Sequence, residues 1–127
     1  MNLLLDTHVL LWIVAGEDRL GRRARGAIED GRTLVFVSAA SAWEIAIKSQ
    51  LGKLDAPDDY VAMLEHYRFT PLDVTSEHAL AVRDLPEHHR DPFDRMLVAQ
   101  ARSEGLMLVT GDVRLGAYDV PILAAAV

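Results

Sequence analysis

The sequence predicts an α/β protein, a three-layer α/β/α arrangement with a central, mostly parallel sheet. Two observations carry this. Short apolar or β-branched runs of strand length alternate with longer segments of helical spacing, the pattern of βαβ units with helices on both sheet faces. Acids also close two of the runs, Leu3-Leu4-Leu5-Asp6 and Met107-Leu108-Val109-Thr110-Gly111-Asp112. Open α/β sheets bind their ligands outside the carboxyl ends of the strands, so a strand-terminal aspartate is a site candidate.

In chain order, Asn2–Leu5 reads as a first strand and Thr7–Ala15 as a short helix ended by Gly16. Arg19–Asp30 reads as helical, weakened by Gly21 and Gly26. Leu34–Val37 is an apolar, valine-rich strand, and Ser38 can cap the helix Ala39–Leu51, which Gly52 stops. Asp58–Tyr67 is a helix behind Pro57. Phe69–Val74 is a strand interrupted by Pro71, which places it at an edge or outside the main sheet. Thr75–Leu85 opens on a cap and continues with Ala79, Leu80 and Val82 as a helix. Pro86–Arg90 is a polar loop, Asp91-Pro92 starts a helix running to Glu104 before Gly105, and Met107–Thr110 and Val120–Leu123 are the last strands.

A length of 127 residues suits one domain, 1–127, and a 50% hydrophobic composition supplies a single core. No run approaches the about 18 apolar residues of a membrane span, and the start lacks the basic and small-residue marks of a signal peptide. The absence of cysteine excludes disulfides and thiolate metal sites. The expectation is a soluble, cytoplasmic protein. A net charge of −6 weighs against broad polyanion binding, unless part of it surrounds a cation. Arg19, Arg22, Arg23 and Arg25 cluster, either as a phosphate-binding stripe or as a solvated helix face.

Four acids stand out: Asp6, Glu44, Asp94 and Asp112. Singly, each has a structural explanation. Asp6 can cap a helix, Glu44 can pair with Lys48 one turn on, Asp91-Pro92-Phe93-Asp94 has the form of a helix start, and Asp112 can belong to a turn. Together they are harder to dismiss, because three fall at strand ends or helix starts that share one edge of such a sheet. Glu44 lies among Ala42, Trp43, Ile45, Ala46 and Ile47, with Ser41, Glu44 and Lys48 as a narrow polar stripe. A buried carboxylate there must pair or bind a cation. A donor set of aspartate and glutamate favours Mg²⁺ or Mn²⁺ over Zn²⁺, and such ions activate water against phosphodiesters. His8 could orient a phosphate or a water, or make a local hydrogen bond. His88-His89 in a polar loop are expected to face solvent, and Trp12 and Trp43, among apolar residues, to lie in the core.

Four blocks then carry a family resemblance. They are Leu5-Asp6-Thr7-His8; Ser41-Ala42-Trp43-Glu44-Ile45-Ala46-Ile47-Lys48 with Gly52-Lys53-Leu54; Arg90-Asp91-Pro92-Phe93-Asp94-Arg95-Met96-Leu97-Val98-Ala99-Gln100-Ala101; and Val109-Thr110-Gly111-Asp112. In this order they resemble the blocks of a PIN-domain ribonuclease, over essentially the whole chain, and most closely the VapC-like toxins of bacterial toxin–antitoxin pairs. The third block is the most specific. Leu115 departs from the family, which often has an aromatic residue there.

The resemblance implies a PIN-like fold and a Mg²⁺- or Mn²⁺-dependent endoribonuclease, with Asp6, Glu44, Asp94 and Asp112 as metal-binding acids. Thr110, Ser41, Asp91 and His8 would support them, Asp91 ranking below Asp94 because its place before Pro92 suits a cap. It implies an RNA substrate, a homodimer and a cognate antitoxin. Two rivals remain. A receiver domain has similar length and sheet, but expects paired acids after the first strand and an aspartate ending a mid-chain strand; here Asp6 stands alone and Leu34–Val37 runs into Ser38. A catalytically silent PIN-like module that only binds a partner protein is the alternative.

Overall fold

Alternation along the strands builds the sheet. The computed structural model describes residues 1–126. In it β1 (Leu3–Leu5), β2 (Val35–Ser38), β3 (Thr70–Leu72), β4 (Met107–Thr110) and β5 (Ile122–Ala124) form one sheet in the order β3-β2-β1-β4-β5, with every pair parallel. Parallel strands need cover on both faces, which is why β1 is buried at each position. Leu3, Leu5, Val35, Val37 and Val109 point into one core, and Leu4, Phe36 and Leu108 into the other. The first core is closed by α1 (Thr7–Val14), α2 (Arg22–Glu29), α3 (Ala39–Gln50) and α4 (Tyr60–Tyr67), through Val9, Leu10, Ala24, Ile45, Met63 and Leu64. The second is closed by α5 (Ser76–Ala81) and α6 (Pro92–Glu104), through Ala81, Leu97, Val98 and Ala101. The predicted α/β/α layering is therefore observed. No helix of the described residues is long and apolar enough to cross a membrane.

Local chemistry sets the element ends. Side chains of Asp6, Ser38, Asp59, Thr75 and Asp91 each accept a backbone N–H at a helix start. Gly105 ends α6 at φ 67°, a conformation that costs glycine little. Pro71 sits in edge strand β3, where its missing N–H is tolerated. Three segments differ from the sequence expectation. The helix expected over Arg19–Asp30 begins only at Arg22, because Gly21 is extended at ψ 166° and serves as the N-cap. The helix expected over Thr75–Leu85 is α5 followed by a 3-10 turn, Val82–Asp84, and the last strand is shifted to Ile122–Ala124.

The chain order places the site. From β1 the chain adds β2 and β3 on one side, then crosses to add β4 and β5 on the other. Such a reversal opens a crevice beyond the carboxyl ends of the two central strands, β1 and β4, the usual ligand position in this architecture. Asp6 follows β1 directly, and Thr110-Gly111-Asp112 leaves β4. A Cβ at Gly111 would lie 2.9 Å from the outer end of the Trp12 ring, so a larger residue there forces the ring to shift. Gly111→Ala is expected to cost about 1–2 kcal/mol, the usual range for overpacking, and to lower the melting temperature by several degrees. A variant melting with wild type would show that the ring yields freely.

Candidate metal centre

The register that pairs Leu5 with Val109 carries on past the strands. The Asp6 N–H donates to Val109 O at 3.0 Å. Asp6 Oδ1 accepts the Val9 N–H at 2.9 Å and so caps α1, while Oδ2 accepts the Thr110 hydroxyl at 2.5 Å. Thr110 Oγ1 in turn accepts the Asp112 N–H at 3.0 Å, so one hydroxyl joins the ends of β1 and β4. Burial pushes the Asp6 carboxyl above the usual aspartate range. The Thr110 and Val9 donors and His8 oppose this shift, and the Glu44 charge adds to it. Thr7, beside Asp6, donates its buried hydroxyl to Ser41 Oγ at 2.9 Å and ties α1 to α3.

α3 begins at the carboxyl end of β2 and presents Ala40, Ser41, Glu44 and Ile45 inward at helical spacing. Glu44 is buried, at 2% exposure. Its Oε2 accepts from Lys48 Nζ at 2.5 Å, the ion pair the sequence allows. Its Oε1 is buried without a hydrogen-bond partner. Such an orphan is costly unless a cation or water meets it.

α6 contributes Asp94 from its first turn. Asp91 is the cap, accepting the N–H groups of Phe93 at 2.8 Å and Asp94 at 3.3 Å, as its place before Pro92 suggests. Asp94 is pushed up to about 6, by burial first and then by the charges of Asp91 and Asp6; Glu44 adds in the same sense and His89 opposes. Asp94, Asp112 and His89 each bring one ligand-type atom within 4.8 Å of the others.

The expectation that His88-His89 face solvent is half wrong. His88 is exposed, but the His89 side chain is only 7% exposed. His89 Nδ1 accepts the Asp91 N–H at 3.1 Å, which leaves the proton on Nε2, and Nε2 donates to Asp112 Oδ2 at 2.9 Å. The cause is Arg95. Its guanidinium donates to the carbonyls of Val82, Leu85, Pro86 and His89 and to the Tyr118 hydroxyl, folding the loop back over α6. Asp112 also takes bonds from the Arg114 backbone N–H, Nε and Nη2, at 3.0, 3.0 and 2.8 Å. These donors hold its carboxyl well below the usual range, Arg114 contributing most.

Other expectations fall elsewhere. His8 is exposed on α1 and bears on Asp6 only through its charge. Trp43 is not core: it is 64% exposed on the outer side of α3, its ring edge-to-face with Phe93 at 5.3 Å. Trp12 is partly buried, with Arg19 over its ring at 5.4 Å. Within the arginine cluster, Arg25 pairs with Asp18 and Arg19 with Glu17, both on the surface. A groove of about 710 Å³ lined by Ile13, Arg25, Val35 and Phe69 lies at the amino ends of β2 and β3, the opposite sheet edge from these acids.

Asp94 thus meets Asp112 and His89 within 4.8 Å, the charges of Asp6 and Glu44 reach Asp94, and Thr110 joins Asp6 to the Asp112 backbone, while Asp6 and Glu44 stand outside the 4.8 Å group. The donors of the four acids are carboxylate oxygens, one of them buried and orphaned, and Asp94 is held high by burial and neighbouring charge. That set fits a hard, oxygen-seeking divalent cation.

Comparison with known proteins bears on the whole chain. The PIN domain family matches residues 3–121. Ribonuclease VapC22 of Mycobacterium tuberculosis is 33% identical over 125 residues, covering 94% of each chain. Among solved folds, VapBC2 from Rickettsia felis, bound to a DNA fragment from its promoter, superimposes with a TM-score of 0.73 at 12% identity, covering 98% of this chain and 99% of that one. A toxin-antitoxin complex from Klebsiella pneumoniae gives 0.66 at 17% identity, covering 97% of each.

Proposed function

The chain belongs to the PIN-domain family, and on that premise we propose that it is a Mg²⁺- or Mn²⁺-dependent endoribonuclease, the toxin of a toxin–antitoxin pair. What supports the reading most is the buried, unpartnered Glu44 Oε1 together with Asp94, which meets Asp112 and His89 within 4.8 Å and feels the charges of Asp6 and Glu44. The relative that is 33% identical is named a ribonuclease, which supports the activity. A similar solved fold comes from a toxin-antitoxin complex, which supports the partner.

Asp6, Glu44 and Asp94 would hold the ion. Asp112 would complete the set, its carboxylate held by the His89 and Arg114 donors. A bound Mg²⁺ or Mn²⁺ would activate water for in-line attack and stabilise the leaving oxygen of the phosphodiester. The protein's own groups do the rest. Thr110 fixes Asp6 through Oδ2, Lys48 neutralises one Glu44 oxygen, Ser41 anchors α3 to α1 through Thr7, and the Asp91 cap sets the start of the helix that carries Asp94. His8, exposed on α1, would meet a phosphate or a water.

An antitoxin would inhibit by setting an arginine or lysine among the acids, since a cation there satisfies the same charges and displaces the metal. The net charge of −6 suits a basic partner segment. A homodimer completes the proposed assembly. The direct test is incubation of the purified chain with single-stranded RNA in Mn²⁺, in Mg²⁺ and in EDTA, reading new RNA ends. Cleavage with either metal and none in EDTA is expected. Absence of cleavage under every condition would overturn the reading in favour of a silent binding module.

A further inference from the structure

The site is ringed by negative charge, yet an RNA phosphate must approach it. Among the described residues, Lys48 and Arg114 pair with two of the acids. Lys48 is committed to the buried Glu44, with its own side chain 31% exposed. Arg114 is different: its side chain is 70% exposed and pairs with Asp112 at 2.8 Å. The Asp94 charge is felt at the guanidinium. Nε and Nη2 bind Asp112, and Nη1 has no partner among the described residues.

A local aspartate–arginine pair is not by itself a site. Asp30 and Arg32 make the same three bonds, at 3.0, 3.2 and 3.2 Å, on open surface. What sets Arg114 apart is the anchoring of its carboxylate. Asp112 Oδ2 also receives the His89 Nε2–H, His89 is fixed by the Asp91 N–H, and its loop is clamped by Arg95. Asp112 is thus held from the protein side and holds Arg114 on the solvent side.

Resting on the ribonuclease reading, we propose that Arg114 is a substrate-contacting residue, its guanidinium meeting a backbone phosphate of the bound RNA while Asp112, fixed by His89, positions it. A guanidinium fork matches phosphate geometry and keeps donors free after pairing with a carboxylate.

The test compares steady-state RNA cleavage in Mn²⁺ for wild type, Arg114→Ala, Arg114→Lys and Arg32→Ala across salt concentrations, with Mn²⁺ affinity measured by calorimetry. For Arg114→Ala, kcat/KM is expected to fall about ten- to hundredfold, the loss of a charge-assisted hydrogen bond. Its salt slope should shrink by about one. Arg114→Lys should keep the slope and recover part of the rate. Arg32→Ala should match wild type, and Mn²⁺ binding should not weaken in Arg114→Ala, since removing a cation from Asp112 leaves that carboxylate freer for the ion. Wild-type cleavage with an unchanged rate and slope in Arg114→Ala would overturn the inference and leave the ribonuclease reading standing. So would an equal loss in Arg32→Ala, or a loss in Arg114→Ala matched by weakened Mn²⁺ binding. Wild type that cuts no RNA would overturn both.

Discussion

Asp6→Asn and Asp94→Asn are expected to fold and to cleave RNA on the order of a hundredfold more slowly than wild type, or not at all. Loss of an outer-shell partner alone typically costs about 10–100-fold at a metal site, and an amide in place of a donor carboxylate removes the charge itself. The fold should survive for reasons visible at each position. Asn caps a helix about as well as Asp, so Asn at position 6 keeps the bond to the Val9 N–H. Its amide can donate to Thr110 Oγ1, and only the Thr110 proton must find a new acceptor. At position 94 the cap belongs to Asp91, so the start of α6 does not depend on the Asp94 side chain. Circular dichroism checks the fold and denaturing gels check cleavage. A folded Asp94→Asn protein cutting RNA at the wild-type rate would remove Asp94 from the site, and the same result for Asp6→Asn would remove Asp6.

What the sequence discloses follows the range of the interactions. Strand and helix patterning is local, so the α/β alternation, the caps at Asp6, Ser38 and Asp91, and the edge position of the Pro71 strand are all readable from neighbouring residues. Asp6, Asp94 and Asp112 as candidates need only the rule that sites sit at carboxyl ends of strands and the helix starts beside them. Glu44 needs only the stripe it shares with Ser41 and Lys48. His89 is different. Its burial is produced by Arg95 reaching carbonyls from Val82 to His89, and its partner Asp112 is 23 residues away. Nothing in Pro86–Arg90 shows this. The Thr7–Ser41 bond, spanning 34 residues, is equally silent. The exposure of Trp43 is legible from helical spacing: Ala40, Ser41, Glu44 and Ile45 define the inward face of α3, and position 43 is off it. Apolar neighbours in sequence are not neighbours on a helix.

In EDTA at pH 7.5, Asp94→Asn is expected to melt several degrees above wild type, and Mn²⁺ is expected to close or reverse the gap. The sign follows from linkage. The Asp94 carboxyl is pushed up to about 6 in the folded protein, mainly by burial, whereas an unfolded aspartate titrates near about 4. Between those values the folded state holds a proton that the unfolded state has released. Stability therefore falls as pH rises through the window, and the full penalty is present above pH of about 6. Asp6, raised for the same leading reason, acts in the same direction. Asp112, held low, contributes stability that is lost only as pH drops below about 4, outside the window. The shift on Asp94 corresponds to at most about 3 kcal/mol, and relaxation should leave on the order of 1–2 kcal/mol. An opposing term exists, because an acid in the first turn of α6 gains about 0.3–1 kcal/mol from the helix dipole. The larger effect wins, so the amide stabilises the apo protein at pH 7.5, with the advantage shrinking toward pH 4.5. Metal binding to the folded state adds about 2.7 kcal/mol at a hundredfold excess over Kd. Wild type should receive that gain in full and Asp94→Asn little of it. If the four acids were separate caps and surface pairs, Asp94→Asn would instead melt at or below wild type in EDTA, and Mn²⁺ would move neither protein. That pair of results would sink the shared site.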